Sequence, residues 1–194
     1  MKTTRVEAFS DGVIAIILTI MVLELKVPRD ATWHGLAAEW PLFVDYALSF
    51  TVVAIMWVNH HHLMYLAPRV SVSLLWANNH LLFWMSLTPF ATSYLGEHPG
   101  TPMPVAIYGV VLTMASLSFV LLRGVINRHH RDNLRMRKHN RRILKKTVFS
   151  AISYAASVPA AFLSIYASYL VFILIPLIYF IPDRRDAEFA EEME

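Results

Sequence analysis

The residues best suited to chemistry stand at the ends of two apolar segments. Ser10 and Asp11 immediately precede a long uncharged run, and Trp57, His60 and His61 close a second apolar segment. A carboxylate at a membrane boundary is costly unless it is paired, so Asp11 needs hydrogen-bond donors. An indole N–H or a neutral imidazole N–H would serve. We therefore predict that the two clusters meet. The alternative is that the Trp and His side chains are ordinary interfacial residues.

The uncharged run after Asp11 has a helical pattern of its own. One face of such a helix carries Gly12, Ile16, Thr19, Ile20 and Leu23. In a single copy this face makes a poor binding pocket. Several copies around an axis would form a narrow pore with hydrophobic constrictions and one ring of hydroxyls. The simpler alternative is an ordinary membrane helix in which Ser10 and Asp11 form the N-cap.

The histidines also raise the possibility of a membrane metal enzyme. His60, His61 and His62 are consecutive, and His80 lies in the next apolar segment. Consecutive side chains point about 100° apart on a helix, so at most one or two could converge on a metal. Neither His-Glu-x-x-His nor His-x-x-His-His occurs in the chain. We predict no metal site, no cofactor and no enzymatic activity.

The composition is that of an integral membrane protein. Hydrophobic residues make up 56% of the chain and charged residues only 16%, against about 25% charged residues in an average soluble domain. Cysteine is absent, which excludes disulfides and thiolate metal sites. Periodicity and loop signals predict one all-α domain over residues 1–194. Its six membrane spans are predicted at about 9–25, 41–63, 72–95, 104–126, 147–163 and 165–182.

Basic residues predict the orientation in the membrane. The loop 127–146 is strongly basic, whereas the loop from Gly96 to Met103 has no Lys or Arg. By the positive-inside rule, the basic loop and both termini are cytoplasmic, as is the acidic tail 183–194. The basic residues are explained by topology and by anionic membrane lipid, and no nucleic-acid partner is predicted.

The start of the chain resembles a known family. Arg5-x-x-x-Phe9-Ser10-Asp11, followed by Gly12 and a hydrophobic run to Glu24, is similar to the signature of the transmembrane protein 175 family. Its members are potassium-conducting channels of bacterial membranes and animal lysosomes. The six-segment pattern, the second segment rich in Trp and His, and the chain length agree with this resemblance.

The resemblance implies roles for individual residues. Ile16, Ile20 and Leu23 would line the pore as successive constrictions, and Thr19 would add a hydroxyl layer. Four copies of the first helix would enclose the pore, because single-repeat members of the family are homotetramers. A structural motif would fix that helix against its neighbours, and it comprises Arg5, Phe9, Ser10, Asp11, Trp57, His60 and His61.

The predicted function is therefore passive, potassium-selective conduction by a homotetramer in the cell membrane. A secondary transporter or proton-coupled carrier that uses Asp11 and the histidines of the second segment is the alternative. Inverted repeats and broken helices at mid-membrane would favour a carrier, and the sequence has neither signal. A membrane scaffold without transport activity is the third possibility.

Overall fold

The structure, a computed structural model, describes residues 3–28, 30–67, 69–128 and 134–180. Over these residues every regular element is an α-helix, in agreement with the predicted all-α class. The helices are α1 (Thr3–Leu23), α2 (Trp33–Ala38), α3 (Trp40–Tyr65), α4 (Val72–Ser86), α5 (Thr88–Glu97), α6 (Pro102–Asn127), α7 (Leu134–Leu163) and α8 (Ile165–Phe180).

Helix α1 begins earlier than its apolar pattern suggested. It starts at Thr3, so Ser10 lies two turns inside the helix, and the Ser10 hydroxyl donates to the carbonyl of Val6 at 2.9 Å. The N-cap alternative for Ser10 and Asp11 is therefore wrong. One face of α1 is buried in the protein, and it consists of Val6, Ser10, Ile14, Ile17 and Met21.

The predicted third span is interrupted. Helix α4 ends at Ser86 and α5 begins at Thr88, because Pro89 has no N–H to continue the hydrogen-bond ladder. The polar stretch before the second span, predicted as a loop, contains the short helix α2. The Thr32 hydroxyl caps α2 by accepting from the N–H of Gly35 at 3.1 Å.

Helices α7 and α8 are joined with almost no loop. Helix α7 ends at Leu163 and α8 begins at Ile165. The hydroxyl of Ser168 donates to the carbonyl of Ser157 at 2.7 Å, which ties the two helices together. Helix α7 starts at Leu134, inside the predicted loop 127–146. Residues 129–133 of that loop, the end of the sixth predicted span and the segment 183–194 lie outside the described residues.

Helix α6 packs against α4, α5, α7 and α8 and forms the centre of the core. A Cβ at Gly109 would lie 2.7 Å from the Ser157 hydroxyl, so the close approach of α6 and α7 requires a glycine there. In the described chain three helices are long and apolar enough to cross a membrane, namely α1, α3 and α6. The chain is thus a multi-pass membrane protein.

The contacts of α1 define two ends of the molecule. At the end that we call the Asp11 end, Asp11 of α1 contacts Trp57 in the second half of α3. At the opposite end, the Ser93 hydroxyl donates to the Glu24 carboxylate at 3.1 Å, and Lys26 forms an ion pair with Glu97 of α5. The hydrogen bond from Lys26 to the Glu97 carboxylate, together with the charge of that carboxylate, raises the pKa of Lys26.

Candidate functional site: the two faces of α1

A directional chain of hydrogen bonds fixes the buried face of α1. The Nε2–H of His60 on α3 donates to Asn78 Oδ1 on α4 at 2.8 Å. The Asn78 amide in turn donates to Ser10 Oγ at 2.9 Å. All three side chains are buried. The chain therefore links three helices through donors and acceptors that all point toward α1.

The same bonds determine the tautomer of His60. Because Asn78 uses its NH₂ group on Ser10, its oxygen must accept from His60, which places the imidazole proton on Nε2. His60 Nδ1 is buried and has no hydrogen-bond partner within the described chain. A second proton there would be a buried donor without an acceptor. The geometry thus favours neutral His60.

Asp11 is held by Trp57. The indole N–H of Trp57 donates to Asp11 Oδ1 at 2.9 Å, and Asp11 is half-buried. One turn along each helix, His61 Nδ1 lies 2.7 Å from Glu7 Oε1. Among the groups offered by the sequence, Trp57 is thus the partner of Asp11, whereas His60 and His61 contact Asn78 and Glu7.

Two residues of the motif lie apart from this network. The side chains of Arg5 and Phe9 are exposed, and within the described residues Arg5 makes no hydrogen bond or ion pair. His80 also has separate partners, since Ser118 lies 2.8 Å from its Nδ1 and Trp84 donates to its Nε2 at 3.3 Å. His60, His61 and His80 therefore serve different contacts and do not converge on one point.

The opposite face of α1 is exposed along its length. Ile16 is 58% exposed, Ile20 41% and Leu23 80%. Gly12 and Thr19 are exposed on the same side, and the Thr19 hydroxyl donates to the carbonyl of Ile16 at 2.9 Å. That bond leaves the lone pairs of the Thr19 oxygen free. We call this surface the exposed stripe; it comprises Gly12, Ile16, Thr19, Ile20 and Leu23.

Two acidic residues outside the predicted site are prominent in the structure. Glu7 pairs with His61, and its position one turn before Asp11 was the available signal. Asp45 is 3% exposed on α3. A lone acid inside an otherwise uncharged apolar segment is a recognised sign of function, and that signal was present in the sequence.

The fold and the site define a class of protein. It is an α-helical, multi-pass membrane protein in which polar contacts anchor one face of a helix and the opposite face is exposed.

The profile of the family described as "Endosomal/lysosomal potassium channel TMEM175" matches residues 5–89. A potassium channel of Chryseobacterium sp. (strain P1-3) is 43% identical over 185 residues, which cover 95% of this chain and 96% of the relative. The chain belongs to the TMEM175 family.

A solved structure and a human relative complete the comparison. The crystal structure of a lysosomal potassium-selective channel TMEM175 homolog from Chamaesiphon minutus matches with a TM-score of 0.82 and 28% identity, over 91% of this chain and 95% of that one. The human endosomal/lysosomal proton channel TMEM175 is 36% identical over 75 residues, which cover 32% of this chain and 15% of the human protein. These relatives are channels, not enzymes.

Proposed function

We propose that this chain is one subunit of a homotetrameric, potassium-selective channel in which the exposed stripe of α1 lines a central pore. The observation that carries the proposal is the division of α1 into an anchored face and an unpartnered aliphatic face. Potassium is favoured as the permeant ion because the potassium channel of Chryseobacterium matches over nearly the whole of both chains, whereas the human proton channel matches over a short segment.

One copy of α1 cannot enclose a conduit, so the pore requires several chains. Four helices that meet at one branched aliphatic side chain each leave a narrow opening, whereas two chains supply too few walls. A groove of about 610 Å³ beside the stripe is lined by residues of α1 and α5, including Ile20, Phe90 and Tyr94. Side chains of a neighbouring subunit could pack into this groove beside the stripe.

The chemistry of conduction follows from the stripe. Ile16, Ile20 and Leu23 would form successive hydrophobic rings, and an ion that enters such a ring loses hydration without gaining ligands. The barrier is therefore desolvation. Thr19 would offer a hydroxyl oxygen to a partly dehydrated ion, because its proton is already used on Ile16.

The proposed setting is the cell membrane, with both termini cytoplasmic. The excess of Lys and Arg between the fourth and fifth predicted spans supports this orientation. It places the Asp11 end at the cytoplasmic side and the Glu24 end outside. Permeating potassium ions and membrane lipid are the proposed partners.

Recording from purified protein in planar bilayers tests the proposal. A pore gives unitary currents that reverse near the potassium equilibrium potential, whereas a carrier or scaffold gives none. Native mass spectrometry tests the stoichiometry separately. A stable dimer as the largest species would contradict the tetramer.

A further inference from the structure

The inference concerns a cavity between α3, α6, α7 and α8, which lies apart from the exposed stripe. Its volume is about 40 Å³, and roughly two or three water-sized groups fit into such a space. Arg123, one turn before the end of α6, lines this cavity and is only 3% exposed. The described residues around the cavity include no carboxylate. A buried cation thus borders a space that can hold a small group.

The hydroxyl groups of the lining form hydrogen bonds within the protein. The Thr147 hydroxyl donates to the carbonyl of Ile143 at 3.0 Å, and the Ser150 hydroxyl donates to the carbonyl of Lys146 at 2.9 Å. Ser150 Oγ also lies 3.1 Å from the Tyr179 hydroxyl, and because the Ser150 proton is already used, Tyr179 is the donor. These three hydroxyls have therefore placed their protons inside the chain, and donors for a ligand must come from other groups.

Arg123 and Asn59 supply such donors. The Asn59 amide uses one N–H on the carbonyl of Ile55 at 2.8 Å and has a second N–H. Arg123 has other interactions within the chain, but a guanidinium carries five N–H donors and can bind a ligand as well. Its planar fork contacts two oxygens of one anion at once, a geometry that phosphate matches. The donor set of the cavity is thus that of an anion site.

The charges around the cavity also favour an anion. Lys146 Nζ lies 4.3 Å from the centroid of the Tyr179 ring, so a second cation stands beside the lining. The preceding turn of α7 adds three exposed basic side chains, namely Arg141, Arg142 and Lys145. The Asp11 carboxylate is held by Trp57, which lies about 200° around α3 from Asn59 and therefore on the other side of that helix.

We propose that this cavity is a phosphate-binding site, in which Arg123 binds the phosphate group of an anionic lipid headgroup or of free inorganic phosphate. Arg123 and Tyr179 lie near the ends of α6 and α8, at the depth where headgroups meet a membrane protein. The apolar part of the lining includes Ile55 and Phe119, which suit the glycerol and first methylene groups of a lipid. The cytoplasmic position of the site rests on the proposed orientation, whereas phosphate binding itself does not depend on conduction.

Methyl NMR of the wild-type protein in maltoside detergent, with ¹³C-methyl methionine, tests the proposal directly. Met56 lines the cavity, whereas Met103 is exposed near the opposite end of α6. Met56→Leu conserves volume and serves to assign the Met56 signal. Added phosphatidylglycerol, or potassium phosphate in place of potassium chloride at equal ionic strength, should shift the Met56 signal and leave that of Met103 in place. A shift with the lipid alone identifies a headgroup site, and a shift with the salt identifies a site for the free ion.

Two controls separate phosphate binding from other causes. Diacylglycerol has the acyl chains of the lipid without its phosphate, and an equal Met56 shift with diacylglycerol would mean that the cavity binds apolar groups and that the proposal is wrong. Arg123→Gln should raise the phosphate or lipid concentration for a half-maximal shift about tenfold or more, because a charge-assisted bidentate contact is lost. Arg141→Gln removes an exposed charge from α7 and should behave like the wild type. Equal losses in the two variants would indicate a diffuse surface charge and would contradict the proposal.

The alternative role of Arg123 is purely structural. The carboxyl ends of α3, α6 and α8 are near one another here, and a guanidinium is stabilising beside such ends without any ligand. If neither phosphatidylglycerol nor potassium phosphate shifts the Met56 signal of the wild type, this structural role is the correct one and the proposal is overturned, whether or not Arg123→Gln folds. The measurement requires no channel activity.

Discussion

The two faces of α1 are stabilised by opposite kinds of interaction. The buried face is anchored through Ser10 by hydrogen bonds, whereas the exposed stripe is largely aliphatic and is left uncovered by the residues that the structure describes. In a bilayer, lipid tails attract an aliphatic face as well as protein does, so apolar contacts alone do not fix the rotation of a helix about its axis. Directional hydrogen bonds, by contrast, fix this rotation. The polar face thus determines where the apolar face points.

The largest effect is expected from breaking the anchored face at its centre. Asn78→Ala leaves Ser10 and His60 without their buried partner, at a cost of about 1–3 kcal/mol for each group. The free energy of unfolding, measured in detergent, should fall by about 2–5 kcal/mol. The matched control is Asn79→Ala, which removes the same side chain from the adjacent, exposed position. Equal losses in the two variants would refute the role of the hydrogen-bond chain.

The next effect concerns Asp11. Asp11→Ala removes the acceptor of the Trp57 N–H, so α1 should rotate away from its position, and the protein should fail to assemble or carry no current. Asp11→Asn retains an oxygen at that place and should keep assembly. Size-exclusion chromatography and bilayer recording measure both. Normal assembly of Asp11→Ala with an altered ion preference alone would show that Asp11 is not a clamp.

Replacing a residue of the exposed stripe should alter conduction and leave the fold intact. Ile16→Asn puts a polar side chain into the proposed tightest ring, where it retains water and lowers the desolvation barrier. Unit conductance should rise, and discrimination among potassium, sodium and larger monovalent cations should weaken. Ile16→Leu keeps the ring apolar at the same volume and should resemble the wild type. Wild-type conductance and reversal potentials in Ile16→Asn would remove this face from the pore.

A smaller change is expected from Thr19. Thr19→Ala deletes the hydroxyl oxygen that the pore would offer to a dehydrated ion, so selectivity for potassium over sodium should decrease while closure is retained. Thr19→Ser keeps the oxygen and serves as the control. Reversal potentials under matched bi-ionic conditions measure the difference. An unchanged preference in the alanine variant would assign selectivity to other residues.

The smallest effect is expected at the Glu24 end. Lys26→Met removes an exposed ion pair, and such pairs contribute little. Because Glu97 raises the pKa of Lys26, the stabilisation is present below about 10.4, the ordinary pKa of lysine, and is lost as pH rises through the raised value. Because the pair is exposed and screened by solvent, the melting temperature of Lys26→Met should be only slightly below that of the wild type at neutral pH. A large drop there would show that this pair fastens α1 as firmly as the Asp11 end does.

The sequence predicted the class of fold and the helical phase of α1, because both follow from periodic patterns along the chain. It narrowed the partner of Asp11 to a few donors, but it could not choose Trp57 over the histidines. That choice depends on the rotation of α3 about its axis. It also depends on Asn78 of α4, which accepts the hydrogen bond of His60 and so keeps that histidine from Asp11. The break at Leu87 was missed because the apolar pattern continues across it, although Pro89 was a local signal for it. Contacts between distant segments, such as that between Asn78 and His60, leave no local signature in the sequence.

The self-contained anchoring of α1 has a consequence for the order of events during biosynthesis. The hydrogen bonds that hold the helix at Ser10 and Asp11 come from Asn78 and Trp57 of the same polypeptide. A newly inserted monomer can therefore form these contacts before it meets a second copy. The proposed tetramer would then assemble from subunits in which α1 is already anchored, as these diffuse laterally in the bilayer. A damaged monomer could be removed by cellular quality control before it enters a complex.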